Sequence, residues 1–192
     1  KQKAIAAVER SLKRLKTDYL DVYLLHWRGS VPLAETLEAF ETLQQSGKIR
    51  SYGVSNFDIE DMQEVSQLKG GKGIVTNQVL YNLMRRGIEW NLLPWCRQQN
   101  IPIMAYSPIE QGRLLNNKTI KAIAQQRGVT AAQVAIAWLL HQEDIIVIPK
   151  SSRIDHVEQN YAAKDLKLSA EELAALDVAF PPPTKPVSLE ML

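Results

Sequence analysis

A histidine that directly follows an apolar segment is the first residue of this sequence that could do chemistry. His26 comes near the end of Tyr19-Leu-Asp-Val-Tyr-Leu-Leu-His26-Trp27, whose leucine, valine and aromatic residues predict a buried strand. In a parallel α/β sheet, ligands and reacting groups lie at the carboxyl ends of the strands. An imidazole placed there can exchange a proton near neutral pH or polarise a carbonyl group. A lone histidine after a strand is more often structural, so the case for His26 depends on the other strand ends.

Four further apolar segments also end in polar or aromatic residues. These predicted strands cover residues 49–55, 74–78, 101–106 and 145–148. Their carboxyl ends carry Ser55 and Asn56, Asn77 and Gln78, Tyr106 and Ser107, and Lys150 and Ser151. Because every strand contributes, the pattern favours a barrel, whose active face collects residues from all strands. A doubly wound sheet would concentrate them at one switch point, and the sequence has no glycine-rich dinucleotide fingerprint.

Helical patterns alternate with these strands. The predicted helices cover residues 4–15, 32–46, 58–68, 88–99, 130–140, 155–163 and 169–178. Asp58 is the expected N-cap of the third, and capping boxes open the helices at Thr130 and Ser169. This alternation predicts an α/β fold with a parallel sheet and helical crossovers. We expect a single domain over residues 1–192, with a proline-rich tail at 181–192 that cannot continue the last helix.

The composition is typical of a globular domain. The formal net charge of +2 over 192 residues implies no nucleic-acid partner, and no apolar segment is long enough to imply a membrane span. Cys96 is the only cysteine, so the sequence has neither a disulfide framework nor a zinc cluster, and no metal site is expected. A lone cysteine also favours a reducing compartment, and we therefore expect a cytoplasmic location. The chain begins without a methionine, directly in a helical pattern.

Five segments in order resemble the aldo-keto reductases. They are the segment from Arg14 to Trp27, Gly47-Lys-Ile-Arg-Ser-Tyr-Gly-Val-Ser55-Asn56-Phe57, Asn77-Gln78, Ala105-Tyr106-Ser107-Pro108 and Ile148-Pro149-Lys150-Ser151. Each segment is weak by itself, but the five occur on five successive strand ends and cover essentially the whole chain. Within that family the sequence is most similar to bacterial enzymes that reduce methylglyoxal and other small aldehydes.

The resemblance implies a fold, a cofactor and a reaction. The fold would be a (β/α)8 barrel of the TIM type, of which this chain covers strands four to eight and their helices. The cofactor would be NADPH, bound across the carboxyl face without a Rossmann domain. The reaction would be hydride transfer to a small carbonyl substrate, an aldehyde or ketone such as methylglyoxal.

The resemblance also implies a role for each strand-end residue. His26 would orient the substrate carbonyl as the catalytic residue of this chain, and Trp27 would contact the substrate. The nicotinamide carboxamide would bind Ser55, Asn56 and Gln78, whose side chains offer both donors and acceptors. Without the family resemblance, Ser55 and Asn56 could simply form a polar turn and N-cap before the next helix.

The remaining contacts implied by the resemblance lie in the second half of the chain. Tyr106 would stack on the nicotinamide ring. The pyrophosphate would contact Ser107 and Arg113; the adenosine 2′-phosphate would contact Lys150, Ser151 and Arg153; and the adenine would contact Asn160.

The sequence departs from the family pattern at two places. His156 stands where many members have an arginine that binds the 2′-phosphate, which leaves NADH open as a cofactor besides NADPH. The family's catalytic Asp, Tyr and Lys lie on its first three strands, which this sequence does not match, so the proton donor would lie outside this chain. Two alternatives therefore remain open: a nucleotide-binding or scaffold fragment without catalysis, and an inactive truncated chain. Such a chain would fold by self-association or by pairing with the missing amino-terminal part.

Overall fold

The computed structural model describes residues 1–192, which form two compact units, Lys1–Gln78 and Val79–Leu192. The first unit contains α1 (Gln2–Leu15), β1 (Leu20–Leu25), α2 (Leu33–Gln45), β2 (Ile49–Ser55), α3 (Ile59–Gln67) and the start of β3 (Ile74–Leu80). The second contains α4 (Leu92–Gln98), β4 (Ile103–Tyr106), α5 (Lys118–Arg127), α6 (Ala131–His141), β5 (Ile145–Val147), α7 (Ile154–Ala162) and α8 (Ala170–Ala179).

The strands of each unit pair in parallel, which confirms the predicted α/β fold. In the first unit β1 runs beside β2 from Leu20 opposite Ile49, and β2 runs beside β3 until Ser55 lies opposite Gln78. In the second unit β4 and β5 are parallel, with Ile103 opposite Ile145. Because the strands within a unit share one direction, the polar residues that follow β1 and β2 lie at one edge of the sheet, together with Gln78.

The predicted caps explain where several helices begin and end. The Asp58 side chain accepts a hydrogen bond from the Asp61 backbone N–H and starts α3, while Gly47, with φ of 73°, follows the end of α2. The capping boxes predicted at Thr130 and Ser169 are both formed. Helix bounds in these places follow from local hydrogen bonding, and the prediction is confirmed within one or two residues.

Each unit has its own apolar core. In the first unit, α2 buries one face that includes Leu37, Phe40 and Leu43, and the Phe40 ring lies 5.4 Å from that of Tyr52 on β2. In the second unit, six successive residues of α6 are buried, and the Trp138 ring lies 5.6 Å from that of Tyr81. A helix that is apolar on every side needs neighbours on every side, which makes α6 the centre of the second unit.

Three predictions of local structure were wrong. The strand before His26 was expected to be buried, but none of the six residues of β1 is, because β1 pairs with β2 alone. The helix expected at 88–99 begins only at Leu92; Pro94, which has no backbone N–H, fits the first turn of a helix and would break its interior. The third error is the omission of α5, although Asn117 caps its start and Gly128, with φ of 64°, ends it.

Two further observations concern the predicted domain and the membrane. Residues 181–192 form neither helix nor strand, in keeping with their four prolines. None of the helices combines the length and the apolar composition that spanning a bilayer requires. The single domain expected over residues 1–192, and the position of the five strands within a larger barrel, stay predictions.

Candidate active site

His26 is exposed at the end of β1 and lines a cavity of the first unit. Its ring stacks on that of Trp27, with centroids 4.3 Å apart and planes 12° from parallel. The cavity has a volume of about 580 Å³ and is lined by Leu25, His26, Trp27, Gly29, Val31, four residues at the start of the chain, and Glu35 and Thr36 of α2. An imidazole whose ring is stacked on one face keeps its ring nitrogens at the edge, where they can reach a polar group in the cavity.

The structure brings Ser55, Asn56 and Gln78 together at adjacent strand ends. The Ser55 hydroxyl and the Asn56 backbone N–H both donate to the Gln78 carbonyl oxygen, each at 2.8 Å. The Asn56 Nδ2 donates to the His26 carbonyl oxygen at 3.0 Å, which links this group to the histidine. Because the buried Ser55 hydroxyl already donates its hydrogen to a backbone carbonyl, it can act toward a ligand only as an acceptor.

Asn77, which the sequence places at the same strand end as Gln78, was not among the residues predicted to contact a ligand. Its side chain is fully buried; Nδ2 donates to the Phe57 carbonyl at 2.8 Å, and Oδ1 accepts the Phe57 backbone N–H at 3.5 Å. These two contacts fix the turn that follows β2, in which Asn56 has a left-handed φ of 58°. Asn77 therefore stabilises the backbone next to the site, although its own side chain is buried.

Tyr106, at the end of β4, is half-buried and held by the chain's last residues. Burial raises the pKa of its hydroxyl, and a hydrogen bond from the backbone of Leu192 partly offsets this rise. The ring is consequently constrained at the hydroxyl end. Its stacking role on the nicotinamide stays a prediction.

The loop after β4 carries Ser107 and Arg113, the residues predicted to contact a pyrophosphate. Within it Ser107, Glu110 and Gln111 have φ values of 50°, 49° and 54°, and Gly112 has 89°. For residues other than glycine this region costs on the order of 1–3 kcal/mol each, so the loop needs contacts that stabilise it. Arg113 is exposed and lies 3.3 Å from Glu110.

Glu110 is a buried carboxylate that the sequence analysis missed. Arg85 donates to it at 3.0 Å, and Asn82 at 2.8 Å. Burial by itself would raise the pKa of Glu110, but the hydrogen bonds from Arg85 and Asn82 outweigh it, and the pKa is lowered. A glutamate in a loop is normally solvated, so its type and position carried no signal of this role.

The residues predicted around the 2′-phosphate lie between the end of β5 and the middle of α7. Lys150 is exposed and makes no ion pair within the chain. The Ser151 hydroxyl oxygen accepts the Arg153 backbone N–H at 3.1 Å, and the Arg153 guanidinium is paired with Asp155. His156 is also exposed, 4.0 Å from Asp155. Lys150 is thus the free cation of this group, whereas Arg153 already has a carboxylate partner.

Asn160 lies further along α7, away from the start of the helix. It lines an apolar groove of about 390 Å³ together with Ile136, Leu140, Val147, Pro149, Val157, Tyr161 and Lys164. A polar amide among aliphatic and aromatic side chains suits a flat heteroaromatic ring, which has both apolar faces and polar edges. Its contact with adenine stays a prediction.

Comparison with known proteins shows where this arrangement belongs. The sequence pattern of the Aldo/keto reductase family matches residues 1–179. The chain belongs to the aldo/keto reductase family. This confirms the resemblance carried by the five strand-end segments, and it makes the chain a member of a family of oxidoreductases.

Among the relatives of this aldo/keto reductase are two bacterial enzymes with named activities. Methylglyoxal reductase YeaE of Escherichia coli (strain K12) is 53% identical over 196 residues, which cover 100% of this chain and 69% of that protein. Glyoxal reductase of Bacillus subtilis (strain 168) is 38% identical over 173 residues, covering 90% of this chain and 61% of the relative.

A solved structure agrees closely with the fold. An aldo-keto reductase from Klebsiella pneumoniae in complex with NADPH superimposes with a TM-score of 0.95 at 52% identity, covering 97% of this chain and 67% of the other. The chain thus spans 61–69% of the length of these three relatives.

Proposed function

We propose that this aldo/keto reductase chain carries the NADPH contacts and the substrate-orienting histidine of an enzyme that reduces small aldehydes and ketones, such as methylglyoxal. The observation that carries the proposal is the hydrogen bond from Asn56 to the His26 carbonyl, because it joins the predicted carboxamide contact to the predicted catalytic residue. The names of the E. coli and B. subtilis relatives, a methylglyoxal and a glyoxal reductase, support this substrate class.

In this proposal the five strands take positions four to eight of a (β/α)8 barrel. Two features support the assignment: the strands of each unit are parallel and alternate with helices, and the chain matches 67% of the NADPH-bound relative. The polar residues would then lie at the carboxyl face of the barrel, where such enzymes bind their ligands.

The residues of the chain suit NADPH in their chemistry. The first unit would supply contacts to the carboxamide: acceptor lone pairs on Ser55 and amide groups on Asn56 and Gln78. The second unit would supply contacts to the phosphates, from Arg113 and from Lys150, whose ammonium has no carboxylate partner in the chain. When bound, the nicotinamide supplies the hydride.

His26 would orient the substrate by donating a hydrogen bond to its carbonyl oxygen, and Trp27 would form an apolar wall beside it. This is the electrostatic role expected of a donor placed where negative charge develops. The cavity beside the two rings, about 580 Å³, is large for a three-carbon aldehyde and would admit a range of small carbonyl compounds.

The proton donor would come from the part of the relatives that this chain does not match. Tyr81 is an example of a tyrosine in this chain that does not suit this role. Its side chain is fully buried, and its hydroxyl donates to Glu89 at 2.8 Å. Burial and the neighbouring carboxylate raise the pKa of this hydroxyl well above its ordinary value, which opposes proton transfer near neutral pH.

A reconstitution experiment tests the proposal. The 192-residue chain should bind NADPH but reduce methylglyoxal about two to four orders of magnitude more slowly than the same chain fused behind the unmatched amino-terminal part of YeaE, because it lacks a general acid. In the fusion, His26→Ala should lower kcat while leaving the Kd for NADPH unchanged. His141→Ala, at the exposed end of α6, is the matched control and should change neither.

The outcomes separate the alternatives. Turnover by the short chain at the rate of the fusion would contradict an external proton donor. NADPH binding by the chain, with no turnover even in the fusion, would favour the nucleotide-binding fragment.

A further inference from the structure

The buried carboxylate of Glu110 has no part in the function proposed above, yet it is at the centre of a network in the second unit. Its side chain is 0% exposed. Arg85 donates to Oε1 through Nε at 3.0 Å and lies 2.9 Å away through Nη2, and Asn82 donates to Oε2 at 2.8 Å. A buried charge held by three such contacts from two residues is stabilised only while both residues remain in place.

Asn82 connects this carboxylate to the backbone of the loop after β4. It is fully buried, and its second amide hydrogen bond goes to the Ser107 carbonyl oxygen at 2.9 Å. Its Oδ1 accepts the Met84 backbone N–H at 2.9 Å, which fixes the amide orientation. The network therefore binds the loop at two points, Ser107 and Glu110.

At those two points, and at the two residues after Glu110, the backbone is left-handed. Ser107, Glu110, Gln111 and Gly112 all have φ between 49° and 89°. Three of the four are not glycine, so this conformation is not one that the free loop would favour. External contacts must select it, and the contacts from Asn82 and Arg85 are of this kind.

We propose that Asn82, Arg85 and Glu110 are positioning residues that hold the loop of residues 107–112 in this backbone conformation and so place Ser107 and Arg113 for the cofactor pyrophosphate. This inference rests on the proposed function. Glu110 also lies 3.3 Å from the Arg113 guanidinium, so it orients this side chain directly. The tail adds a further contact, because Glu190 pairs with Arg85 from its other side.

The charge of Glu110 makes the proposal testable, because a positioning role and a purely electrostatic role predict opposite changes in NADPH affinity. A carboxylate near a pyrophosphate site repels the ligand, so removing its charge should strengthen binding if charge were its only effect. If Glu110 acts by positioning, its replacement by an amide weakens binding, because one of the two carboxylate oxygens becomes an N–H group that faces the donors of Asn82 or of the arginines.

The experiment compares Glu110→Gln and Asn82→Ala with a control, Glu172→Gln, in the 192-residue chain. Glu172 is a second buried carboxylate paired with an arginine, Arg127, and lies on α8 outside this network. Three quantities are measured: the Kd for NADPH, the Kd for adenosine 2′-phosphate, which lacks the pyrophosphate, and the rate of trypsin cleavage after Arg113.

We expect Glu110→Gln and Asn82→Ala to raise the Kd for NADPH about tenfold, because that is roughly the effect of losing one charge-assisted hydrogen bond. The Kd for adenosine 2′-phosphate should stay unchanged. Cleavage after Arg113 should be faster in both variants and unchanged in Glu172→Gln. An unchanged or lower Kd for NADPH in Glu110→Gln would overturn the positioning role, as would an equal loss of affinity for both ligands.

The cleavage rate distinguishes failure of this inference from failure of the proposed function. If the unmodified chain does not bind NADPH, the proposed function fails, and so does the claim that the loop places residues for the pyrophosphate. Faster cleavage in the variants would still support the claim that the network holds the loop. Cleavage at the unmodified rate would overturn that claim as well. If Glu110→Gln does not fold, Asn82→Ala alone decides between these outcomes.

Discussion

The side-chain amide of Asn56 donates a hydrogen bond of 3.0 Å to the backbone carbonyl of His26. It thereby connects the residue after β2 to the residue after β1, two positions 30 residues apart in the chain. The backbone N–H of Asn56 is used as well, since it donates to Gln78. Asn56 can make both contacts because its φ of 58° turns the chain away from the sheet.

The first prediction separates the backbone conformation of Asn56 from its side-chain contact. Asn56→Ala places an ordinary residue at a left-handed φ, whereas Asn56→Gly removes the same amide without that strain. The alanine variant should therefore be less stable than the glycine variant by about 1 kcal/mol, measured by denaturant unfolding. Both should bind NADPH more weakly than the unmodified chain. Equal stability of the two variants would show that strain at this residue is unimportant.

The second prediction concerns the choice between NADPH and NADH. Lys150 is the unpaired cation near the predicted 2′-phosphate contact, and a charge-assisted hydrogen bond contributes roughly 1.5–3 kcal/mol. Lys150→Ala should raise the Kd for NADPH by at least about tenfold with little change for NADH. Lys167→Ala, which removes another exposed lysine of the second unit, is the control.

Arg153 and His156 should matter less than Lys150 in the same titrations. Arg153 is already paired with Asp155, so it would have to exchange a partner to bind a phosphate. His156→Ala at about pH 8 should have only a small effect, because an imidazole lacks the bidentate fork with which an arginine binds a phosphate. Equal Kd values of the unmodified chain for NADH and NADPH would remove the phosphate role of all three residues.

The third prediction is a pH dependence of stability that comes from Glu172. Hydrogen bonds from Arg127 hold the pKa of Glu172 below its usual value of 4.5. The ionised form therefore stabilises the folded chain above the unfolded pKa, and this contribution is lost as the pH falls through the lower, folded pKa. At neutral pH, Glu172→Gln should lower the free energy of unfolding by about 1 kcal/mol, since the pair is partly exposed.

Thermal unfolding between about pH 7 and pH 3 measures this contribution. The difference in stability between Glu172→Gln and the unmodified chain should shrink as the pH falls. Glu158→Gln, an exposed residue of α7, provides the control and should show no such change. A difference that stays constant with pH would assign the effect to packing and not to ionisation.

The fourth prediction is that the purified 192-residue chain associates with a second copy. β1 pairs with β2 alone and β5 with β4 alone, so each unit has a strand edge without a neighbour. Beside β5 the groove on α7 exposes Val157 and Tyr161, at 51% and 71%. Light scattering should give more than the mass of one chain, and Tyr161→Ser should weaken association more than Val178→Ser on α8. A monodisperse monomer with cooperative unfolding would contradict the prediction.

Local chemistry made much of the fold and part of the site predictable from the sequence. Caps such as Asp58, Thr130 and Ser169 act on N–H groups three residues away, so a short stretch of sequence is enough to predict them. The same holds for strand ends: His26, Ser55 and Tyr106 follow apolar segments, and parallel pairing then places the ends at one edge within each unit. The family resemblance also rests on these short segments, and the match to the family over residues 1–179 confirms it.

Burial and partner choice, by contrast, were decided by the tertiary structure. Nothing near Glu110 in the sequence indicates a buried carboxylate, because Asn82 and Arg85, which stabilise it, come from 28 and 25 residues earlier. Likewise β1 is as apolar as a buried strand, but its position beside a single neighbour leaves none of its residues fully buried. The sequence by itself thus determined which residues begin, end and follow the elements, through contacts a few residues long. Which charges are buried, and which of them meet, depends on contacts between distant segments that exist only after folding.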